Sequence, residues 1–262
     1  MTRQPTLLFG DDGSPGADAA WLWINSQPWP GWRVEIVTAS VPEFLAHIPA
    51  ERSETHVWEP PNPRIAFTEA HFGDVAHLAV EKDPRLALSR AVDLLVIGPR
   101  GPGLEKSLHL GSTAEWLLLH PPAPMVIARH GSRVRTIVLA HDGSAHADLV
   151  TDVLCRLPWI ESTAVTVVCV DDRRVDVARA VDGATAKLEA AGAVVSAVID
   201  TGKPTAKLFD HLELARPDLV AMGTRGLTGL KRLRVGSTAG AIARAATCSV
   251  LLACADIGDA SD

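Results

Sequence analysis

Short apolar runs alternate along the chain with segments whose apolar residues recur at helical spacing. In the second half, the run Thr136–Ala140 is followed by apolar residues at positions 149, 150, 153, 154 and 157, which indicates a strand, a turn and a helix. The predicted strands of this half are Thr136–Ala140, Val165–Val170, Val194–Ile199, Leu219–Met222 and Ser249–Ala253, and helices are predicted over Val175–Ala190 and Thr205–Ala215. Strands that are apolar throughout and alternate with helices predict a parallel sheet covered on both faces.

The first half follows the same plan with one exception. Its predicted strands lie near Thr6–Gly10, Val34–Ala39, Ile65–Glu69, Leu94–Gly98 and Met125–Arg129. Between Val41 and Arg64, five prolines prevent a long uninterrupted helix. Two interpretations of this segment stay open, a surface crossover loop and a lid or dimer contact.

The two halves repeat one unit. Thr6–Ser14 (TLLFGDDGS) matches Thr136–Ser144 (TIVLAHDGS) at an offset of 130 residues, which is the length of a small domain. We therefore predict two domains, 1–130 and 131–262, joined at the polar stretch Arg129–Arg133. Each is predicted to be α/β, doubly wound and Rossmann-like, with a five-stranded parallel sheet in the order 3-2-1-4-5. The second ends in a short acidic tail, Asp256–Asp262, which we expect to be disordered.

Composition narrows the class of protein. The chain has 262 residues, of which 47% are hydrophobic and 21% charged, and this excludes a disordered or fibrous chain. The net charge of −6 argues against a protein that coats nucleic acid or anionic lipid. We expect a cytoplasmic protein without a membrane segment, because no stretch approaches 18 apolar residues and the apolar run near the N-terminus has only four. The four cysteines form no C-x-x-C pair and are expected in the core.

Candidate chemistry lies in a second repeated motif. A glycine pair ends the fourth strand, nine residues follow, and Gly-Ser-Thr then opens an apolar helix, predicted over Ala114–Leu119 in the first half and Ala239–Ala246 in the second. Backbone N–H groups of such a loop, together with the free donors at the start of the helix, can bind a phosphate. The hydroxyls after the last glycine can cap the helix, bond a phosphate oxygen, or do both. They belong to Ser112, Thr113, Ser237 and Thr238.

An aspartate stands at the end of the first strand in each half. In doubly wound sheets, ligands bind at the carboxyl ends of strands beside the switch point, here between the first and fourth strands. Asp12 and Asp142 lie at that edge. They could serve only the Asp-Gly-Ser turn and the helix start. Their pairing with the glycine loop favours a role as ligand acceptors.

These motifs, strand-Asp-Gly-Ser and G-x2-G-x9-G-S, resemble those of the universal stress protein family in its tandem two-domain form, over nearly the whole chain. The resemblance implies binding of an adenine nucleotide. It implies that the aspartate and the residue ending the second strand contact the adenosine end, and that the glycine loop and Gly-Ser hold ribose and phosphates. By position, the second site would comprise Asp142, Val170, Gly223, Gly226, Gly236, Ser237 and Thr238, with Met222 beside it, and the first would comprise Asp12, Ala39, Gly98, Gly101, Gly111, Ser112 and Thr113.

The two sites are expected to differ in affinity. The second loop carries four cations, Arg225, Lys231, Arg232 and Arg234, where the first has Arg100, Lys106, Ser107 and His109. Glu105 adds a negative charge to the first loop, and Pro99 removes one of its backbone N–H groups. We therefore predict that the second domain binds triphosphate more tightly. The basic cluster could instead be a solvated helix face or a nucleic-acid contact, and the overall acidity disfavours the latter.

A protein metal site and dedicated catalysis are poorly supported. The histidine pairs miss metal-ligand spacing, whereas Mg2+ could be held mainly by the phosphates of ATP. The nucleophile elbow, the Walker phosphate loop and the H-E-x-x-H helix are absent from the sequence. The leading hypothesis is an ATP-binding stress-response protein that acts as a nucleotide-dependent switch on an unknown protein partner. A slow ATP hydrolase or nucleotidyl transferase, and a nucleotide-free scaffold, remain as alternatives.

Assembly is expected within the chain. The family associates through its last strand, so Met125–Ala128 and Val250–Ala253 could pair as an intrachain pseudo-dimer, with a further homodimer as an open option. Trp116 is interpreted as a core residue rather than a reporter of the first site. Four other tryptophans are expected to pack around the first helix and its exit turn, namely Trp21, Trp23, Trp29 and Trp32.

Overall fold

The computed structural model describes residues 3–40, 72, 74–101, 110–171, 177–226 and 235–254. The strands of the first half are β1 (Thr6–Gly10), β2 (Arg33–Ser40), β3 (Val75–Glu81), β4 (Leu94–Ile97) and β5 (Met125–Ile127). The helices of the first half are α1 (Pro15–Asn25), α2 (Pro84–Ala87) and α3 (Ser112–Leu119). The strands of the second half are β6 (Thr136–Ala140), β7 (Ala164–Asp171), β8 (Val194–Thr201), β9 (Leu219–Gly223) and β10 (Ser249–Ala253). The helices of the second half are α4 (Ala145–Arg156), α5 (Val177–Ala190), α6 (Pro204–Ala215) and α7 (Ser237–Ala245).

All ten strands form one sheet, in the order β3-β2-β1-β4-β5-β10-β9-β6-β7-β8. Within each half the neighbouring strands run parallel and follow the predicted order 3-2-1-4-5. The halves meet where β5 and β10 pair antiparallel, with Val126 opposite Leu251. The pairing predicted for these last strands is thus present, and it hides two sheet edges that would otherwise be open.

The third strand of the first half was predicted in the wrong place. It is β3, which begins at Val75, ten residues beyond the expected start at Ile65. The segment Ile65–Glu69, the proline-rich stretch from Val41 to Arg64 and the acidic tail lie outside the described residues. β3 is an edge strand with half of one face exposed, so its apolar pattern is weaker than that of the buried strands.

The core consists of one apolar layer on each face of the sheet. Phe9, Leu139 and Leu251 belong to the layer under α1, α4 and α5, while Leu95, Val220 and Leu252 belong to the layer under α3, α6 and α7. The central strands β4, β5, β9 and β10 are almost fully buried, as their unbroken apolar runs predict. In the described part of the chain, no helix is long and apolar enough to cross a membrane.

Tryptophans from both halves form one buried cluster beside the sheet. Trp159 meets Trp23 and Trp29 edge to face, each with 6.1 Å between ring centroids. Trp32 lies against Trp29, and Trp21 stacks on Phe9. The predicted packing role of the four first-half tryptophans is therefore confirmed, since all are buried. Trp116 is only half-buried and stacks on His120, although it also packs against the core.

Polar contacts fix the junction between the halves. The buried Gln27 at the end of α1 donates to the carbonyl of Ser132 at 3.0 Å and accepts the N–H of Val134 at 3.1 Å. On the opposite face, Arg244 near the end of α7 forms a two-pronged ion pair with Glu115 in the first turn of α3. The first of these contacts holds the polar stretch expected to be a linker against α1, and the second joins helices of the two halves directly.

Candidate functional site

A cleft of about 160 Å3 opens at the carboxyl ends of the strands in the second half. It lies at the switch point between β6 and β9, where a ligand site is expected in this type of sheet. The loop cation Arg225 lines this cleft together with all eight residues assigned to the second site by position: Asp142, Val170, Met222, Gly223, Gly226, Gly236, Ser237 and Thr238. The fold therefore brings together residues separated by almost 100 positions in the sequence.

The start of α7 leaves backbone donors without a side-chain cap. Its N-cap residue is Gly236, in an extended conformation, and no side chain accepts from the first turn. The helix α4 on the other side of the cleft is different, because Ser144 Oγ accepts the N–H of Ala147 at 3.2 Å. Of these two helices, α7 alone thus keeps its first donors and the positive end of its dipole available. Helix α6, which follows Lys203, also lacks a side-chain cap.

The front aspartate is held at the edge of the same loop. Oδ1 of Asp142 accepts the N–H of Ser144 at 3.1 Å, across a turn in which Gly143 has a φ of 76°. Its other oxygen, Oδ2, lies against Gly226, where an added Cβ would come within 2.4 Å. Asp142 therefore stabilises the Asp-Gly-Ser turn, which is one of the two roles considered for it, and its second oxygen also faces the glycine loop.

The loop is tied to its surroundings through backbone groups. The N–H of Gly236 donates to the carbonyl of Thr224 at 2.7 Å, and Ser144 Oγ donates to the carbonyl of Arg225 at 3.4 Å. Gly223 packs on the start of α4, where a Cβ would lie 2.7 Å from that of His146. The glycine requirement at position 223 is thus one of packing between strand and helix.

Two buried polar side chains at the cleft were not assigned a role by the sequence reasoning. The Thr224 hydroxyl is fully buried and has no hydrogen-bond partner in the described structure, although Thr224 lines the cleft. His141, considered only for metal binding, lies 98% buried with Nδ1 accepting the N–H of Gly143 at 3.2 Å. Burial is the main cause that lowers the pKa of His141 below its ordinary value, against the opposing charge of Asp148.

A third residue without an assigned role is the half-buried Thr205, in the first turn of α6. Its Oγ1 lies 2.8 Å from Oγ1 of Thr238, so a hydrogen bond joins the starts of α6 and α7. Thr205 carries no local signal, because it meets Thr238 only through tertiary packing. Aligning the prolines that open the two helices, Pro84 and Pro204, places Arg85 at the corresponding position of the first half.

The first half has a wider cleft of about 520 Å3 at the equivalent place. All seven residues predicted for the first site line it: Asp12, Ala39, Gly98, Gly101, Gly111, Ser112 and Thr113. Its helix α3 also begins at a glycine, Gly111, without a side-chain cap. Asp12 faces Gly101 as Asp142 faces Gly226, with 2.7 Å to an added Cβ.

The two clefts differ in polar character. The buried Asp11 stands where the second half has His141, and Pro99 stands where it has Thr224. Asp83 caps α2 by accepting the N–H of Arg85, whereas Lys203 occupies the same position before α6 and caps nothing. The remaining charged loop residues of the comparison, at positions 105–109 and 230–234, lie outside the described residues. Within the described residues, no group of three or more His, Cys, Asp or Glu side chains is arranged to hold a metal ion.

Residues 171–253 match the universal stress protein family. No curated protein matches the chain in sequence. A universal stress protein from Archaeoglobus fulgidus DSM 4304 superposes with a TM-score of 0.72 at 17% identity, covering 96% of this chain and 99% of that one. A functionally unknown protein from Pseudomonas aeruginosa PAO1 superposes with a TM-score of 0.59 at 13% identity, covering 95% of this chain and 92% of that one.

A universal stress protein family protein from Arabidopsis thaliana was solved with AMP bound. It is 14% identical and covers 49% of this chain and 97% of its own, with a TM-score of 0.37, so its ligand is a fact about that protein alone. The two superpositions along the full length establish the fold, and the sequence match to the family lies in residues 171–253. The chain is therefore similar to the universal stress protein family over residues 171–253 and has, along its length, the fold of the universal stress protein from Archaeoglobus fulgidus.

Proposed function

We propose that the protein binds an adenine nucleotide, ATP with Mg2+ held through its phosphates, and that the cleft of the second half is the tighter site. The observation that carries this proposal is the uncapped start of α7, which opens into a glycine loop facing Asp142. Free N–H groups at a helix start, with the positive end of the helix dipole, are suited to a phosphate.

The lining of the cleft supports a ligand with both apolar and polar parts. Val168 and Met222 of the sheet and Leu208 of α6 provide buried apolar surface. Thr224 adds a buried hydroxyl without a partner, and such a group ordinarily costs about 1 to 3 kcal/mol unless a hydrogen bond is supplied. A nucleotide would place its base and sugar against the apolar wall and its phosphates at the loop, in the order that the family resemblance implies.

The preference for the second half rests on the differences between the clefts. Pro99 removes a donor from the first loop, and the buried Asp11 adds a carboxylate beside Asp12. Both changes disfavour a triphosphate in the first cleft. The sequence of the second loop, with Arg225 and three further cations, favours one in the second.

A regulatory role follows from the same features. The phosphate donors belong to a loop and a helix start, so a bound nucleotide would favour one arrangement of this edge over others. We propose that a protein partner, whose identity is unknown, reads that arrangement, and that the protein takes part in a stress response through it. Binding without turnover distinguishes this function from slow hydrolysis.

A matched pair of variants tests the proposal. Gly236→Asp places a carboxylate where phosphate would bind, and its Cβ meets only ordinary contacts of 3.5 Å or more. An aspartate is also a good N-cap, so the variant should fold with its helix intact. The control is Gly111→Asp in the first half, where the nearest contact is 3.2 Å and the loop must give slightly.

We expect equilibrium dialysis of the whole chain against labelled ATP and Mg2+ to show two unequal sites. Gly236→Asp should remove the tighter one, Gly111→Asp should spare it, and the bound label should remain ATP. Unchanged affinity and stoichiometry in Gly236→Asp would exclude the second cleft as the tight site. Label released steadily as ADP would favour a hydrolase instead.

A further inference from the structure

The Asp-Gly-Ser turn is closed by a different residue in each half. In each half, the residue before the cleft aspartate accepts the N–H of the following glycine and so closes the Asp-Gly-Ser turn. In the first half the acceptor is the Asp11 carboxylate, at 3.1 Å from the nitrogen of Gly13. In the second half it is Nδ1 of His141, at 3.2 Å from the nitrogen of Gly143.

This hydrogen bond defines the state of the imidazole. Nδ1 can accept the N–H of Gly143 only while it carries no proton, so the observed turn requires neutral His141 with its proton on Nε2. If Nδ1 were protonated, its N–H would face the N–H of Gly143, and either the ring or the turn would have to move. A carboxyl group at the equivalent position offers an acceptor oxygen in either protonation state.

Charged groups reach His141 from three elements. From α4, Oδ1 of Asp148 lies 3.4 Å from Nε2, and from the turn itself Asp142 exerts an attraction on the protonated ring. From α5, Lys187 repels it, although Lys187 is itself paired with Asp152 at 2.7 Å. Burial opposes protonation more strongly than the two aspartates favour it, so the neutral, turn-closing form is the one present near pH 7.

The turn carries the cleft aspartate. Oδ1 of Asp142 accepts the N–H of Ser144, and its Oδ2 lies against Gly226 of the loop. A movement of Gly143 therefore moves the carboxylate that faces the ligand. We propose that His141 is the positioning residue for Asp142, and that protonation of its ring opens the turn and weakens ligand binding in the second cleft but not in the first. The ligand part of this inference rests on the proposed function, and the turn itself does not depend on it.

The turn can be tested without any ligand. We expect the backbone amide signal of Gly143 in 1H–15N spectra to shift with the titration of His141 as pH falls from about 7.5 to about 5, in the range where histidines titrate. The amide of Gly13, bonded to a carboxylate, is the reference within the same molecule. A Gly143 amide that does not move more than that of Gly13 while the His141 ring titrates would overturn the positioning role.

The binding arm uses ATP with Mg2+ as its probe and His141→Asn as the matched variant, because the Asn oxygen can accept the same N–H without titrating. Between pH 7.5 and pH 5.5, affinity for ATP in the second cleft should fall about three- to tenfold more in the wild type than in His141→Asn. This fold-change is the one expected for loss of one hydrogen bond. Effects of pH on ATP itself cancel in this comparison. Parallel pH profiles of the two proteins would contradict the inference. Absence of ATP binding at pH 7.5 would instead defeat the proposed function, and the Gly143 amide would still decide the role of His141.

Discussion

Asp142 and Gly226 are matched to one another across the second cleft: a Cβ on Gly226 would come within 2.4 Å of Oδ2 of the aspartate. The same relationship recurs between Asp12 and Gly101 at 2.7 Å. Each glycine is thus required by the carboxylate opposite it rather than by its own backbone angles. The loop and the front aspartate form one unit, although they follow different strands, β9 and β6.

We expect Gly226→Ala to weaken ATP binding in the second cleft with little loss of stability. The atom that must yield is the end of a flexible side chain, so the fold can accommodate the methyl group, but the Asp142 carboxylate leaves its position. Calorimetric titration with ATP and thermal unfolding measure the two effects separately. Gly183→Ala is the control, because nothing lies within 4 Å of a Cβ there and the change in mid-helix should add about 0.5 to 1 kcal/mol of stability. Equal ATP affinity in Gly226→Ala and the wild type would remove Asp142 from the site.

The hydrogen bond between Thr205 and Thr238 should also matter for binding. Thr205→Val keeps the shape of the side chain and removes the hydroxyl that lies 2.8 Å from that of Thr238. We expect affinity for ATP to fall about three- to tenfold, as for loss of one hydrogen bond. A double-mutant cycle with Thr238→Val checks the coupling, since the two losses should not add. Strict additivity would show that the hydroxyls act independently.

The tryptophan cluster should hold both halves in one cooperative unit. Trp159 is 2% exposed and packs edge to face on Trp23 and Trp29 from the other half. Trp159→Ala should therefore cost about 3 to 5 kcal/mol in the free energy of unfolding. Urea unfolding followed by far-UV circular dichroism measures this loss, and Trp116→Ala, at a half-buried position, should cost less. A loss below about 1 kcal/mol for Trp159→Ala would mean that the cluster contributes little.

Stability should depend on pH through His141. Burial lowers the pKa of His141 in the folded state below its ordinary value of 6.5, so the unfolded chain binds the proton more readily. The contribution is fully present above about pH 6.5 and is lost as pH falls toward the folded-state pKa. The free energy of unfolding of the wild type should thus decrease relative to that of His141→Asn between about pH 7 and pH 5. A constant difference between the two proteins would contradict this.

Most of the fold could be predicted because its strands are central and uniformly apolar. Thr136–Ala140 and Ser249–Ala253 were predicted with their observed bounds, and the repeat supplied the topology of one half from the other. The third strand of the first half was misplaced because Val75–Glu81 is a partly exposed edge strand, whereas Ile65–Glu69 has the stronger local β propensity. Edge position is a property of the assembled sheet and leaves little trace in a short segment.

The site residues that recur in both halves could be predicted from the sequence. The residues that only tertiary packing brings to the site could not. The glycines, the hydroxyls after them and the two aspartates recur at fixed spacing, and each set lines one cleft. In the sequence, His141 differs from its counterpart Asp11 in the first half, but its hydrogen bond with Gly143 is visible only in the structure. Thr205 depends on the approach of α6 to α7, for which the sequence holds no spacing rule.

Hydrogen–deuterium exchange of the first turn of α7 tests the central claim most directly. If phosphate occupies the uncapped donors, addition of ATP and Mg2+ should slow exchange at the backbone amides of Ser237, Thr238 and Ala239, and Gly236→Asp should abolish that change. The capped amide of Ala147 at the start of α4 should be much less affected. Protection of residues 237–239 by ATP would support phosphate binding at this helix start. Unchanged exchange there at saturating ATP would contradict it.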